Sequence, residues 1–373
     1  MHTSSRMPTR SISLKSLLIF ASFAVLAFTV QASAWAQDSN QKDRDLPVMT
    51  RNMDAGSDFG YILAAAINTS STQVDILGAI TKSFLEMHMS NYATRADEIA
   101  GEIQATQPYL VGLQEVTTLR MGAYPGPAST VVDDQLQSLL QSLQQRGLQY
   151  TVLKVQKNAD IEMPAFDASY NLITVGFTDY DAVLVRTDVP ASELMIRNVQ
   201  AQYFNAILNF PIAGQDIPFT RGWISVDARL RGKDYRFVTT HLETFVNEYQ
   251  AAQAQELLYG PLDTYLPTIL AGDLNSDANA PSFKNGPAVG ILVNGGFRDI
   301  WSALHPTDAG LTWPYFLEDT TNPDVTPFQR IDLILTRGYG VEAESEQLIG
   351  TSPINGIWAS DHAGVVATLK LLP

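Results

Sequence analysis

Cysteine is absent from the 373 residues of this sequence. Disulfide bonds, zinc–thiolate centres, a thiol nucleophile and a lipoprotein-type anchor are therefore excluded, because each of them requires a cysteine side chain. The folded protein must draw its stability from a hydrophobic core, and hydrophobic residues make up 45% of the chain. Histidine is also scarce, with five copies in all, so a histidine within a motif carries information.

Basic residues are outnumbered, since 24 Lys and Arg face 39 Asp and Glu, for a formal net charge of −15. Nonspecific binding to nucleic acids or anionic membranes relies on Lys and Arg that neutralise phosphate or lipid charge. The composition therefore disfavours a protein that adheres nonspecifically to either partner, although a local basic groove stays open as an alternative.

Acidic side chains are missing from the first 36 residues. Three basic residues there precede an apolar stretch over residues 17–30, and the small-residue site Ala34-Trp35-Ala36 follows it. A basic region, an apolar region and a site of this type are the three parts of a secretory signal peptide. The alternative, a single membrane anchor, is disfavoured because the stretch is shorter than the roughly 20 residues that span a bilayer. We therefore expect cleavage near Ala36, a secreted or periplasmic protein and no stable membrane anchor.

Linkers, low-complexity tracts and internal repeats are absent after this segment. With residues 1–36 as the signal peptide, residues 37–46, rich in Gln, Asp and Lys, are expected to form a flexible, solvated leader. Loss of the three basic residues of the signal peptide would change the formal net charge from −15 to −18. We expect residues 47–373 to form one domain, because the polar motifs given below run from residue 52 to residue 362 and must converge.

Period-two hydrophobic patterns indicate several strands. Ile224 and Val226 alternate with polar residues, and a turn at residues 232–234 leads into a second apolar run, which is typical of a β-hairpin. Amphipathic helices are predicted near residues 96–103 and 136–143, where apolar residues recur at helical spacing. Further strand-like runs occur at residues 48–50, 109–113, 150–155, 182–185, 268–270, 331–335 and 364–369. Strands outnumber helices, so a mixed-sheet α+β or α/β layer fold fits better than a strictly alternating parallel one.

Two apolar stretches interrupt this pattern. Residues 54–91 are weakly charged and rich in Ala, Ile and Leu, and they form an insertion between the first strand and the first clear helix. Residues 195–219 are a second apolar stretch, of loop-like character. Either one is expected to supply a lid or a wall beside a site, and the alternative for residues 54–91 is additional core.

Polar or acidic residues recur where the strand-like runs end. Taken singly, each is a weak signal, because a Glu after a strand is usually solvated and an Asp-x-Asn is usually a turn. The order of the six motifs carries the weight, and two of the four histidines outside the signal peptide fall within them. The motifs are Asn52, Leu113-Gln114-Glu115, Thr240-His241-Leu242, Gly272-Asp273-Leu274-Asn275, Arg330-Ile331-Asp332 and Ser360-Asp361-His362.

This order of motifs resembles the endonuclease/exonuclease/phosphatase superfamily, which includes DNase I-like nucleases, neutral sphingomyelinases and inositol-polyphosphate phosphatases. The resemblance covers residues 48–370, and the motifs together are specific for the superfamily but not for one member. The first motif is less typical, because a long insertion follows Asn52. The resemblance implies a four-layer αββα sandwich of two mixed β-sheets flanked by helices, with residues 47–373 as the catalytic domain of a metal-dependent phosphate-ester hydrolase.

Attack of water on a phosphodiester requires a cation that neutralises the charge of the transition state, and hard oxygen ligands suit Mg²⁺ or Mn²⁺. The resemblance implies that Glu115 is the principal metal ligand, with Asn52 and Asp361 beside it. Zinc is not expected as the native ion, because oxygen dominates this ligand set and no thiolate is available.

A base must also accept a proton from the attacking water. The resemblance implies that His362 is this base and that the carboxylate of Asp332 orients it, since a carboxylate fixes the tautomer of a histidine and stabilises its protonated form. In the roles that the resemblance implies, Asp273 orients the water, Asn275 donates to a phosphate oxygen and His241 stabilises the pentacovalent phosphate. Neither Ser nor Cys is required as a nucleophile.

Plainer interpretations exist for several of these residues. Taken alone, His241 is more simply a strand histidine, and Asp332 is more simply a structural partner of Arg330. Arg51 and Arg221 are candidates for phosphate contacts, but an ion pair at the surface is the more frequent role for each.

Three functions are consistent with the sequence. The first is hydrolysis of a small or lipid-linked phosphodiester, as by a sphingomyelinase, and the acidic composition and apolar insertions favour it. The second is a secreted nuclease with DNA or RNA as substrate only, which the same residues would serve although no cluster of Lys and Arg supports it. The third is a catalytically inactive binding protein of the same fold, which is disfavoured because every motif residue is retained.

Overall fold

The computed structural model describes residues 44–57, 59–212, 215–280, 284, 286–316 and 325–372. The predicted signal peptide and all but the end of the predicted leader lie outside the described residues. Residues 45–372 form one compact unit. The leader predicted over residues 37–46 is two residues too long, because the first strand begins at Asp45. Leu46 is fully buried between the sheets and pairs with Leu369, so a solvated conformation is excluded for it.

The described chain contains seven helices and fifteen strands. The helices are α1 (Gly60–Ile67), α2 (Gln73–Met89), α3 (Tyr92–Thr106), α4 (Gln135–Gln145), α5 (Asn247–Tyr259), α6 (Ala288–Asn294) and α7 (Ile300–Leu304). The strands are β1 (Asp45–Asn52), β2 (Leu110–Ala123), β3 (Thr130–Asp134), β4 (Tyr150–Phe166), β5 (Leu172–Arg186), β6 (Leu194–Tyr203), β7 (Leu208–Ile212), β8 (Gln215–Phe219), β9 (Gly222–Leu230), β10 (Lys233–His241), β11 (Thr268–Asp273), β12 (Arg298–Asp299), β13 (Asp332–Arg337), β14 (Val341–Ile349) and β15 (Gly364–Leu371).

The strands form two large sheets and a separate β7–β8 hairpin. The first sheet has the order β14-β15-β1-β2-β5-β4, with β3 paired to β2, and the second has the order β12-β13-β11-β10-β9-β6. In each sheet one pair is parallel, β1 with β2 and β10 with β11, and the other pairs are antiparallel. Both sheets are therefore mixed, as predicted, and β9–β10 is the predicted hairpin.

The two sheets pack face to face, because residues of both contribute to one buried apolar cluster that includes Val183 of the first sheet and Phe237 of the second. The outer face of the first sheet is covered by α3 and α4, through residues such as Ile99 and Leu139. The outer face of the second sheet is covered by α5 and α6 through a cluster that includes Leu257. These layers are the predicted αββα sandwich.

The insertion over residues 54–91 folds into α1 and α2, and α2 begins with a capping box between Thr72 and Asp75. Ile80 and Phe84 of α2 pack with Val175, on the extended part of β5 beyond the sandwich. In the described part of the chain, no helix is long and apolar enough to cross a membrane.

The loop-like character predicted for residues 195–219 is wrong, since they form most of β6 and the β7–β8 hairpin. β6 is the edge strand of the second sheet and pairs with β9 along its whole length. Met195 and Tyr203 are 42% and 44% exposed, so the strand lacks a clean buried face. Backbone pairing with a distant strand fixes this segment, and a local hydrophobic pattern does not report such pairing.

Candidate active site at one edge of the two sheets

The six motifs meet at one edge of the sandwich. The parallel pairs β1–β2 and β10–β11 point their carboxyl ends to this edge, where Asn52 lies beside Gln114 and His241 lies beside Asp273. β13 starts at the same edge because it is antiparallel to β11, which places Asp332 directly opposite Asp273. The register of the sheets therefore brings together residues that are far apart in sequence.

Glu115 points into the cleft because β2 is irregular there. Its φ of 54° lies in the left-handed region, and the pairing of β2 with β5 shifts register between Leu113 and Val116. A non-glycine residue in this region is strained, and such strain is common at functional sites. Its carboxylate accepts hydrogen bonds from Asn52 Nδ2 at 2.9 Å and from the Ala55 amide at 3.0 Å, so its orientation is fixed.

His362 and Asp332 form a buried pair, with His362 Nδ1 2.8 Å from Asp332 Oδ2. Burial acts to lower the pKa of His362, but the charges of Asp332 and Asp361 outweigh it and raise the pKa well above its usual value. The Nε2 atom of His362 is 3.9 Å from both Asp273 Oδ2 and Asp361 Oδ1, so it faces the cluster of carboxylates. The plainer interpretation of Asp332 is wrong, because Arg330 pairs with Asp299 at 2.6 Å.

Asp273 lies at the centre of the cluster. Its Oδ2 accepts from Asn52 Nδ2 at 3.0 Å, and its Oδ1 accepts from the Asn275 amide at 2.9 Å. Burial and the charge of Asp332 raise the pKa of Asp273 to about 7. The side-chain amide of Asn275 donates to the Leu242 carbonyl at 3.0 Å, and Asn275 lines the cleft.

The donor set fits a hard divalent cation. One ligand atom each from Glu115, Asp273 and His362 lie within 4.8 Å of one another. Asp361 lies beside them, and burial together with the charge of Asp54 raises its pKa to about 8. Carboxylates crowded in a buried place repel one another, and a divalent cation relieves that repulsion. The side-chain N–H groups of Asn52 orient the carboxylates of Glu115 and Asp273. The amide oxygen of Asn52, which is the atom that could bind a cation, accepts the Asp54 N–H at 2.8 Å. The role of Asn52 as a ligand therefore stays a prediction.

His241 has a different partner from His362. Arg221 Nη1 lies 2.8 Å from His241 Nδ1, and because arginine only donates, Nδ1 accepts and the ring proton is on Nε2. Nε2 is 3.5 Å from Asp273 Oδ2. Burial and the charge of Arg221 hold the pKa of His241 well below its usual value, so the ring is neutral. The surface ion pair predicted for Arg221 is wrong, because the guanidinium lines the cleft and is directed at His241.

Arg51 does form an ion pair, with Glu102 at 3.0 Å, but the pair is buried rather than at the surface, since the Arg51 side chain is fully buried. Arg51 Nη1 also donates to the His362 carbonyl. The bulky Arg51 side chain therefore joins α3 to the loop that carries the proposed base.

Two residues near the site, Asp54 and Arg95, were not predicted from the sequence. Arg95 donates to the carbonyls of Asp54 and Ala359, and pairs with the Asp54 carboxylate at 2.9 Å. Trp313 Nε1 donates to Asp361 Oδ2 at 2.9 Å. Asp54 lies two residues after Asn52, and this position beside a motif residue is a signal in the sequence that could have identified it. Arg95 lies in the first turn of α3, and nothing in its local sequence marks it.

A cleft of about 940 Å³ opens over these residues. Six of the predicted site residues line the cleft, whereas Asn52 and Asp332 do not: the six are Glu115, His241, Asp273, Asn275, Asp361 and His362. The insertion supplies an apolar wall, one of the roles predicted for residues 54–91, and its helices also add buried core, which was the alternative. The wall includes Phe59, Leu63, Leu85 and Met89.

The chain is similar to known proteins in sequence motifs and in fold. The model of the Endonuclease/Exonuclease/phosphatase family matches residues 85–362. No curated protein matches the chain in sequence. Truncated TDP2 from Caenorhabditis elegans is 18% identical with a TM-score of 0.51, over 87% of this chain and 97% of that one. An endonuclease/exonuclease/phosphatase family protein from Leptotrichia buccalis is 17% identical with a TM-score of 0.53, over 87% of this chain and 100% of that one. A mannosyl-6-phosphatase from Bacteroides thetaiotaomicron is 16% identical with a TM-score of 0.50, over 87% and 99%.

At these identities the structural likeness is one of fold, and it confirms the two-sheet sandwich. The family match spans five of the six motifs, which the structure gathers around one cluster of carboxylates and imidazoles. The chain therefore belongs to the endonuclease/exonuclease/phosphatase family, whose members are metal-dependent phosphoester hydrolases.

Proposed function

We propose that the protein is a secreted or periplasmic phosphodiesterase that depends on Mg²⁺ or Mn²⁺ and acts on a small or lipid-linked ester carrying an apolar group. The observation that carries this proposal is the His362–Asp332 pair, whose free Nε2 faces the carboxylate cluster across the cleft. Glu115, Asp273 and Asp361 would hold the cation, which supplies positive charge to the phosphate when bound.

Each residue of the site then has its own role in the reaction. A water oxygen attacks phosphorus, its proton passes to His362 Nε2, and the bond from phosphorus to the leaving oxygen breaks. Asp332, on Nδ1, stabilises the imidazolium that forms. Asp273 orients the water, and the Nε2–H of His241 donates to a phosphate oxygen, where negative charge develops. Asn275 also lines the cleft and would donate to a phosphate oxygen through the second N–H of its side-chain amide.

The substrate class is inferred from the walls of the cleft. On the side of the insertion, Leu85 and Met89 are 46% and 78% exposed although they are apolar, and both line the cleft. Exposed apolar side chains beside a polar site suit an apolar group next to the scissile phosphate. The net charge of −15 opposes a long polyanion such as DNA or RNA, which makes the nuclease the weaker candidate.

A substrate panel tests the reaction. Release of phosphocholine from sphingomyelin, of nitrophenol from a soluble diester, of acid-soluble nucleotide from DNA or RNA, and of phosphate from a sugar monoester would be measured side by side. Hydrolysis should vanish with chelator and return with Mg²⁺ or Mn²⁺. Full activity after exhaustive chelation would contradict the mechanism. Nucleotide release alone would favour the nuclease, and no hydrolysis of any substrate would favour a binding protein.

Two variants of α2 test the apolar wall. Met89→Glu places a charge on the wall, while Val74→Glu places one on the same helix at a residue that is 66% exposed and does not line the cleft. Met89→Glu should raise KM for the lipid-linked ester and leave KM for the soluble diester unchanged, and Val74→Glu should change neither. An equal effect of both variants would remove the case for the wall.

Localisation needs its own experiment. Expression of the full chain in a bacterium with a periplasm, followed by fractionation, should place a shortened protein outside the cytoplasm, and its N-terminal sequence should begin just after Ala36. A full-length protein in the cytoplasmic fraction would contradict export.

A further inference from the structure

Three buried polar residues, Asn158, Asp179 and Asp181, lie near Arg221 and take no part in the mechanism above. Asp179 and Asp181 are two positions apart in β5, so their side chains emerge on one face of the strand. Asn158 lies opposite them in β4, at a register shift between Lys157 and Ala159, and its Nδ2 donates to Asp179 Oδ2 at 3.1 Å. We call Asn158, Asp179, Asp181 and Arg221 the β4–β5 cluster.

The cluster contains an unusual concentration of unpaired polar atoms. Thirteen buried side-chain N or O atoms lack a hydrogen-bond partner in the part of the chain that the structure describes, and five of them belong to these four residues. They are Asn158 Oδ1, Asp179 Oδ1, Asp181 Oδ1, Asp181 Oδ2 and Arg221 Nε. Buried polar groups are normally paired, so unpaired atoms gathered in one place indicate a polar species that binds among them.

The chemistry of the unpaired atoms indicates the kind of species. Four of the five are oxygens that accept, and only Arg221 Nε donates. The exposed fraction is 0% for Asp181, 3% for Asn158 and 6% for Asp179. Two carboxylates carry two negative charges against the single charge of Arg221, whose Nη1 is already directed at His241. A small cation suits these atoms, because buried charges are paired or bind metals.

We propose that Asp179, Asp181 and the amide oxygen of Asn158 bind a hard divalent cation, at a site separate from the one formed by Glu115, Asp273 and Asp361. Carboxylate and amide oxygens are the ligands that such cations prefer, and the remaining positions would be filled by water. A water on the cation can accept the Arg221 Nε–H. Asp179, Asn158 and Arg221 line the cleft, so the ion has a route to the site. Its charge would offset both aspartates and leave Arg221 positive beside the phosphate.

The rival explanation is a proton shared within the cluster. Burial, only partly offset by Arg221, raises the pKa of Asp179 to about 7, and burial and the charge of Asp179 raise the pKa of Asp181 well above its usual value. A protonated Asp181 would satisfy some of the unpaired oxygens without a metal. The two explanations differ in the number of cations that the protein binds.

The test is a titration of the metal-free full chain with Mn²⁺, which measures the number of ions bound per chain. Binding is monitored by calorimetry and by the loss of the free-ion signal in electron paramagnetic resonance. The parent should bind two ions per chain. Asp181→Asn and Asp179→Asn should each bind one, at the Glu115 site, and Glu115→Gln should bind one, at the β4–β5 cluster. The matched control is Glu346→Gln, which alters another buried carboxylate with an unpaired oxygen, outside the cleft, and should still bind two.

One ion per parent chain, or two in both Asp181→Asn and Asp179→Asn, would overturn the proposal in favour of the shared proton. Should either variant fail to fold, crystals of the parent soaked in Mn²⁺ decide the matter. An anomalous peak between Asp179 and Asp181 is expected, and a peak at Glu115 alone would overturn the proposal. The inference does not depend on the proposed substrate, because ion binding is measured without one, and loss of hydrolysis in His362→Ala is a separate result.

Discussion

His362 and His241 are both buried in the same cleft, one before β15 of the first sheet and the other at the end of β10 in the second, and different groups lie behind them. The Nδ1 atom of His362 meets the carboxylate of Asp332, so the ring is able to take a second proton on Nε2. The Nδ1 atom of His241 meets the guanidinium of Arg221, which leaves a fixed proton on Nε2. The partner on Nδ1 therefore decides whether a histidine accepts a proton or donates a hydrogen bond.

Removal of the proposed base should give the largest effect. His362→Ala should lower kcat by about 10²–10⁴-fold, the range for a lost general base, because the bound metal cannot itself accept the proton of water. Steady-state kinetics over a range of Mg²⁺ concentrations checks this, and circular dichroism checks the fold. Rescue of near-parent activity by additional metal would show that the base is another group.

Removal of the proposed donor should cost less. His241→Ala should lower kcat by about 10²-fold, the lower end for loss of one hydrogen bond to a developing oxyanion. The acid side of its pH–rate profile should match that of the parent, because His241 does not take up a proton. A displaced acid limb in this variant would mean that the two histidines share the role of base.

The charge behind His362 should appear in the pH dependence. A protonated His362 cannot accept a proton, so kcat/KM of the parent should fall as the pH drops through the raised pKa, above the usual value of 6.5 for histidine. Asp332→Asn removes the negative charge that raises this pKa and should move the acid limb to lower pH. The measurement is kcat/KM against pH at saturating metal, and an unmoved limb would separate Asp332 from the base.

The charge behind His241 should affect the tautomer. Arg221→Met removes the donor to Nδ1, so the ring proton is free to occupy either nitrogen, which nitrogen-15 NMR of the imidazole detects. The rate should fall by about fivefold, since one hydrogen bond is worth roughly 1 kcal/mol. Arg221→Lys keeps a donor and should retain more of the Nε2–H form. An unchanged imidazole spectrum in Arg221→Met would contradict the assignment.

The buried pair that supports the His362 loop should affect stability more than rate. Glu102→Gln leaves the Arg51 charge buried without its partner and should lower the free energy of unfolding by about 3–5 kcal/mol. Urea denaturation measures the loss. At urea concentrations well below the midpoint of unfolding, the activity of the variant should stay near that of the parent, because the His362–Asp332 pair is unchanged. A stability within error of the parent would show that Arg51 is not held by Glu102 in solution.

The buried strands and the motif residues of the site could be predicted from the sequence, because both leave local patterns in it. The alternation around Ile224 and Val226 marks a strand that is buried on one face, and motifs such as Gly272-Asp273-Leu274-Asn275 mark a strand end. Since the neighbouring parallel strands end at one edge, residues at strand ends converge. The prediction that Glu115 and His362 share one cleft rested on this position of the motifs together with the resemblance to the superfamily.

Long-range contacts were beyond local patterns. Arg95 lies on α3 among residues that pack against the first sheet, and only the fold shows that it joins the loops of Asp54 and Ala359. Arg221 was expected at the surface, because nothing in its neighbourhood indicates that β10 places His241 beside it. Edge strand β6 was expected to be a loop for the same reason, since its partner β9 determines its conformation.

The position of β1 has a consequence for when the protein folds. β1 is the first described strand and lies in the middle of its sheet, with its antiparallel edge against β15, the last strand of the chain. The sheet therefore cannot close until residues 364–371 have left the ribosome, and contacts of such long sequence separation form slowly. The second sheet needs neither β1 nor β15, so its strands are all synthesised while the first sheet is still incomplete.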